Sequence, residues 1–221
     1  MSLFVFDLDG TLIDSRRDLA DAANALIVEG GGRPLPVDAI AGMVGEGAPL
    51  LVRRALAAAG LDPDAATALP RFLELYDERL LVHTRLYDGT RQALEALAPG
   101  ATLAILTNKP QHHTERILEG LAIASFFRWV IGGDTPHGRK PDPGGLNHLM
   151  SLARAGSGDS VMVGDSAIDL RTARAAGIRV CLVTYGFGFR TVEGLLSGSE
   201  LVADSPGDLL RLLKEDGANG F

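Results

Sequence analysis

The sequence predicts an α/β protein: a Rossmann-like parallel sheet with helices on both faces, and an all-helical domain inserted into it. Three observations point there. Beyond Asp88-Gly89, helical and short apolar segments alternate, as they do when a parallel sheet is covered by crossover helices. One short apolar run, residues 3–6, precedes everything else. Between the two, residues 15–86 carry helical periodicity and no strand signal, so they read as an insert after the first strand. The core then comprises 1–14 and 87–221, and the inserted domain 15–86.

The elements follow in order. Leu3-Phe4-Val5-Phe6 is short, apolar and aromatic-rich, as a buried strand is. Residues 16–29 place Leu19, Ala22, Ala23, Leu26 and Ile27 on one helical stripe, and Gly30-Gly-Gly-Arg-Pro34 stops it. Helices are expected at 37–44, 48–59 and 63–82, the last carrying Leu69, Phe72, Leu73, Tyr76, Leu80 and Leu81 at helical spacing. Then come helix 90–98, strand 102–106, helix 111–120, strand 128–131 and helix 144–154. Strand 160–164, helix 167–176, strand 179–183, a short strand near 201–202 and helix 206–214 complete the core. The tail from Asp216 is expected to fray.

Composition narrows the function classes. The 221 residues are 46% hydrophobic and 22% charged, which suits a globular protein with one full core and an insert. No apolar run approaches the ~20 residues of a membrane span, and no basic segment precedes Leu3 as in a secretory signal. The net charge is −7, and no basic run suggests a nucleic-acid footprint. The single cysteine, Cys181, reads as a small buried strand residue; one cysteine permits no internal disulfide, which fits a cytoplasmic protein. His112 and His113 lack metal-ligand spacing and are expected to solvate or cap their helix. Trp129 and Phe126-Phe127 are expected to pack in the core.

The chemistry concentrates at strand ends. Asp7-Leu-Asp9-Gly10-Thr11 leaves the first strand, and positions i and i+2 point the same way. Strand 102–106 ends in Thr107-Asn108-Lys109, Lys140 follows strand 128–131, and strand 160–164 ends in Gly164-Asp165-Ser166 with Asp169 one turn on. In a parallel sheet these ends share one edge, where open α/β sheets bind ligands. The inventory suits phosphoryl transfer. A phosphomonoester dianion must be neutralised before a carboxylate attacks it, and Mg²⁺ with two carboxylates such as Asp7 and Asp165 would do so. Lys140 adds positive charge, Thr107 a hydroxyl, and the second acid can protonate the leaving oxygen and then activate water. Taken singly, Asp165 could simply cap helix 167–176, Asp169 be an exposed helical acid, and Lys140 be solvated in a Gly/Pro-rich loop.

These four segments, in this order, resemble the four motifs of the haloacid dehalogenase (HAD) superfamily of phosphohydrolases. The resemblance implies a HAD-like core, with Asp7 as nucleophile and Asp9 as general acid/base. It implies phosphate contacts from Gly10, Thr11, Thr107 and Asn108, and charge stabilisation by Lys140. Mg²⁺ would sit on Asp7, the Asp9 backbone carbonyl and Asp165, with Asp169 as a second ligand or outer partner. Asp9 argues against the family's dehalogenases, which lack that acid. The insert resembles the helical cap of the phosphoglycolate phosphatase-like branch, chiefly in Met43-Val-Gly45-Glu46-Gly47-Ala-Pro-Leu-Leu-Val-Arg53-Arg54-Ala-Leu56. Gly45 and Gly47 would let backbone N–H groups approach a ligand, and Arg54, in preference to Arg53, would pair with a small carboxylate. The implied substrate is a small phosphorylated metabolite, 2-phosphoglycolate before a sugar phosphate or pyrophosphate. A phosphomutase and a non-catalytic binding module are the further alternatives. A monomer or homodimer is expected, with no nucleic-acid or membrane partner.

Overall fold

The computed structural model describes residues 2–218. In chain order its elements are β1 (Ser2–Phe6), β2 (Ile13–Asp14), α1 (Arg16–Glu29), α2 (Val37–Ala41), α3 (Ala48–Ala58), α4 (Ala68–Asp77) and β3 (Arg85–Leu86). There follow α5 (Thr90–Leu97), β4 (Ala101–Leu106), α6 (Gln111–Gly120), β5 (Trp129–Ile131), α7 (Gly144–Ala153) and β6 (Ser160–Gly164). The chain closes with α8 (Ala167–Ala176), β7 (Arg179–Val183), β8 (Leu201–Ala203) and α9 (Pro206–Ala218). Strands β5-β4-β1-β6-β7-β8 form one parallel sheet in that order.

Period-two alternation divides the sheet's side chains between two packing layers. Phe4, Phe6, Leu103, Ile105, Val161, Val163, Cys181 and Val183 enter one apolar cluster with α1, α5 and α9. Leu3, Val5, Ala104, Leu106, Met162, Val180 and Leu182 enter the other with α7 and α8. Both faces are covered, which is why the strands read as continuous apolar runs. The order reverses direction on either side of β1, between β4 and β6, so the carboxyl ends of these three strands open a crevice.

Differences from the sequence reading have local causes. The helix expected at 63–82 spans only Ala68–Asp77. Asp62 Oδ1 accepts the Asp64 N–H at 3.0 Å, a turn that competes with helix. Pro70 tolerates only the first helical turn, which fixes the start near Ala68. The helix expected at 37–44 ends at Ala41, before Gly42. The ribbon of β2 and β3 had no sequence signal, since two-residue strands show no periodicity. It pairs Ile13 with Leu86 and Asp14 with Arg85, so the chain leaves for the helical block and returns from it at adjacent points. α9 runs on to Ala218 where fraying was expected from Asp216, and the last tail residues, 219–221, lie outside the described residues. Phe127 is buried, whereas Trp129 is half-buried against the second layer. No helix among the described residues is long and apolar enough to cross a membrane.

Candidate active site

The sheet edge assembles the site. The ladder continues past the strands: the Asp7 N–H donates to Val163 O at 2.8 Å and the Thr107 N–H to Ile131 O at 3.0 Å. Asp7 and Thr107 are therefore set by backbone pairing before their side chains meet partners. α8 begins with a capping box, the Ser166 N–H and hydroxyl donating to Asp169 Oδ2 at 3.1 and 2.7 Å. That holds Asp169 beneath the crevice, fully buried. Its other oxygen, Oδ1, accepts from Lys140 Nζ at 2.6 Å. Lys140 Nζ also lies 2.8 Å from Asp7 Oδ1. One ammonium thus bridges two buried carboxylates.

Three acids face that single lysine. Carboxylate oxygens of Asp7, Asp165 and Asp169 lie within 4.8 Å of one another, all buried. Burial raises the Asp7 pKa, Lys140 pulls it back, Asp169 raises it again, and the outcome is about 6. Burial, then Asp169 and Asp7, push Asp165 well above the usual carboxylate range. Burial alone would lower Lys140, but Asp169 and Asp7 reverse that and leave it raised. Concentrated negative charge of this kind, offered by hard oxygen donors, fits Mg²⁺. Asp169 has both oxygens engaged by protein donors, so Asp7 and Asp165 are better placed to give oxygens directly. Asp165 Oδ2 accepts the Gly188 N–H at 2.7 Å. The Gly186-Phe-Gly188 loop thus belongs to the site; a Cβ at Gly186 would lie 2.2 Å from that of Asp165.

Asp9 stands apart from this cluster. Its Oδ1 accepts the Ser15 hydroxyl, and its Oδ2 lies 3.0 Å from Lys109 Nζ. Lys109 also donates to Tyr76 Oη of α4 at 2.8 Å, and the ammonium sits 4.7 Å from that ring's centroid. Burial, relieved in part by Lys109, pushes the Tyr76 phenol up to about 12. Sequence reasoning placed Tyr76 in the core stripe of its helix and left Lys109 unassigned; both line the cleft. The hint was Lys109's place two residues after Thr107. Nothing in the sequence pairs it with Tyr76.

The cleft is lined by Asp7, Asp9, Thr107, Asn108 and Lys109 below. The helical block supplies Leu19, Val44, Gly45, Gly47, Ala48, Leu51, Phe72, Leu73 and Tyr76 above. Gly45 and Gly47 line the cleft at φ +119° and +90°, where side chains are rarely accommodated. Gly45, however, directs its carbonyl at the core: it accepts Asn108 Nδ2 at 2.9 Å. The same Nδ2 donates to Lys140 O at 2.9 Å. The Asn108 amide therefore ties two loops together instead of facing a phosphate.

Three further expectations are corrected. Gly10 and Thr11 do not offer backbone donors to a ligand, because the Gly10 N–H donates to Ile13 O at 2.9 Å and the Thr11 N–H to Leu8 O at 3.2 Å. These bonds close the turn after β1, and Thr11 is fully buried. Arg54 is turned away from the cleft. Its guanidinium donates to Glu46, and its side chain remains 40% exposed. Arg53 likewise pairs with Asp64 at 3.1 Å. His113 is buried, not solvated, with its ring 5.4 Å from that of Tyr76; burial and Lys109 lower its pKa.

The profile of the haloacid dehalogenase-like hydrolases matches residues 4–183. A phosphoglycolate phosphatase of Rhodospirillum rubrum is 43% identical over 199 residues, 86% of this chain and 83% of that protein. One from Pseudomonas fluorescens is 41% identical over 191 residues, 84% of this chain and 70% of that protein. A crystal structure from Haemophilus somnus, described as a predicted phosphoglycolate phosphatase, superposes with a TM-score of 0.89 at 30% identity, covering 96% of this chain and 97% of its own.

Proposed function

Because the chain belongs to the haloacid dehalogenase-like hydrolase family, we propose that it hydrolyses 2-phosphoglycolate to glycolate and phosphate through an aspartyl-phosphate on Asp7. The observation that carries this reading is the buried cluster of Asp7, Lys140 and Asp165 beside a cleft lined by Asp7 and Asp9, in a chain 43% identical to a phosphoglycolate phosphatase. Supporting it, the helical wall offers apolar groups at Leu19, Val44, Ala48, Leu51, Phe72 and Leu73. A sugar's hydroxyls would find few partners there, whereas a two-carbon acid needs few.

Asp7 attacks phosphorus; its carboxylate oxygen bonds to it as the ester P–O bond breaks. Asp9 gives its proton to the departing glycolate oxygen. Water then attacks the acyl-phosphate, Asp9 takes the proton, and phosphate leaves with the Asp7 carboxylate restored. Asp9 suits both roles because Ser15 and Lys109 hold it away from the Asp7–Lys140 pair. Lys140 steadies Asp7 and the incoming phosphoryl oxygens, and Thr107 adds a hydroxyl at the cleft floor. Asp7, Asp165 and the Asp9 backbone carbonyl would hold Mg²⁺, which would supply the charge neutralisation that lets an anion approach a carboxylate. Asp169 acts behind it by fixing Lys140.

In this reading residues 15–86 are a cap hinged at the ribbon, and closure excludes water from the acyl-phosphate. The protein would act in the cytoplasm, as a monomer or homodimer. The test is phosphate release from 2-phosphoglycolate, sugar phosphates, nucleotides, pyrophosphate and an aryl phosphate, with Mg²⁺ and with chelator. A strong Mg²⁺-dependent preference for 2-phosphoglycolate is expected. Preference for another ester would reject the substrate and keep the chemistry. No release from any ester would reject both.

A further inference from the structure

Apart from Lys140, the cleft presents one cation, Lys109, which pairs with Asp9 and keeps a donor to spare. Among the described residues lining it, Lys109 is the only positively charged one. Lys140 is committed to Asp7 and Asp169 at 2.8 and 2.6 Å. Arg54 and Arg53 are held by Glu46 and Asp64, and Arg139, exposed at the outer side of Gly47, donates to Gly133 O at 3.3 Å. Among the residues lining this pocket, a carboxylate therefore has one positive charge to meet, Lys109, opposite a largely apolar helical wall.

The position of Lys109 fits the geometry of a short phosphorylated acid. Asp9 must stand beside the leaving oxygen to protonate it. Lys109 Nζ is 3.0 Å from Asp9 Oδ2, so it lies within a few bonds' reach of that oxygen. In 2-phosphoglycolate the carboxyl carbon is two bonds beyond the leaving oxygen. The ammonium has three donors, of which Asp9 and Tyr76 Oη engage two. The Tyr76 phenol accepts from Lys109, which leaves its own O–H to donate. Two donors thus face the same end of the cleft, one from the loop after β4 and one from α4.

We propose that Lys109, oriented by Tyr76, binds the carboxylate of the substrate and is the specificity-determining residue for carboxylate-bearing phosphate esters. This rests on the phosphoglycolate reading above. It also gives the helical block a chemical stake in recognition: Tyr76 reaches Lys109 only while α4 covers the crevice.

The experiment compares kcat/KM for 2-phosphoglycolate and for 2-hydroxyethyl phosphate, which replaces the carboxylate by a hydroxymethyl group. Parent, Lys109→Met and Tyr76→Phe are measured under saturating Mg²⁺. Lys109→Met is expected to lose roughly 10- to 100-fold more on 2-phosphoglycolate than on the ester without a carboxylate, mostly in KM, so that selectivity collapses. Equal losses on both esters would mean that Lys109 serves only Asp9, and would overturn the proposal while leaving the substrate reading intact. A parent with no preference for 2-phosphoglycolate would overturn the reading itself, and the proposal with it, before any variant is made. If Lys109→Met does not fold, Tyr76→Phe decides: it keeps the ring, and a selective rise in KM for 2-phosphoglycolate supports the proposal, whereas an unchanged ester ratio overturns it.

Discussion

At the scale of the residue, the site is built on close approaches that only particular side chains permit. Gly10 lies at φ +86°, and a Cβ there would fall 2.1 Å from Asp165 Oδ2. Gly164 lets Asp169 pack against the end of β6, since a Cβ would come within 2.3 Å of that side chain. Asp165 itself is buried with two like charges and has one donor, Gly188 N–H, at 2.7 Å. Replacing it with asparagine removes a buried negative charge that Lys140 alone cannot offset. Asp165→Asn is therefore expected to melt several degrees above the parent in chelator, yet to gain nothing from added Mg²⁺. Differential scanning calorimetry with and without Mg²⁺ checks both halves. A full Mg²⁺-induced shift in the variant would show that Asp165 is not a ligand. Asp7, Asp9, Lys140 and Asp165 were legible as residues because motif spacing carries them. That the Gly10 and Thr11 N–H groups are consumed by their own turn was not, because donors and acceptors within a loop are decided by its torsion angles.

At the scale of the element, the helical block is tied to the core at its two crossing points. Asp18, in the first turn of α1, is buried and accepts the His83 N–H at 2.9 Å, the Thr84 N–H at 2.8 Å and the Thr84 hydroxyl at 2.7 Å. A residue near the outgoing strand thus clamps the segment just before the returning one, beside the β2–β3 ribbon. Asp18→Ala leaves three donors without their acceptor, which should cost about 2–4 kcal/mol. Urea unfolding of the variant should show that loss, and a loss under ~0.5 kcal/mol would show the clamp to be idle. Element order was readable because long helices and buried strands have distinct periods. The shortened α4 and the ribbon were not, since a proline's position in its turn and a two-residue pairing are settled by neighbours.

At the scale of the whole molecule, burial of opposed charges sets a pH dependence. Burial raises Asp7, and despite Lys140 it ends at about 6, against an ordinary 3.8. The folded protein therefore binds this proton more tightly than the unfolded chain. Its contribution to stability is fully present below pH ~3.8 and is lost as pH rises through ~6. Without metal, the unfolding free energy of the parent should fall across that window relative to Asp7→Asn, by about 2–3 kcal/mol. Chemical denaturation of both proteins in chelator between pH 4 and 7 measures it, and parallel curves would refute it. The sequence by itself determined the order of strands and helices, the strand ends that carry the acids and the family to which the chain belongs, because periodicity and motif spacing are local properties. Only the tertiary structure decided that Arg54 turns to Glu46, that Asn108 links Gly45 to Lys140, and that Tyr76 meets Lys109 across 33 residues. A side chain's partner depends on which distant segment packs against it, and no local pattern encodes that.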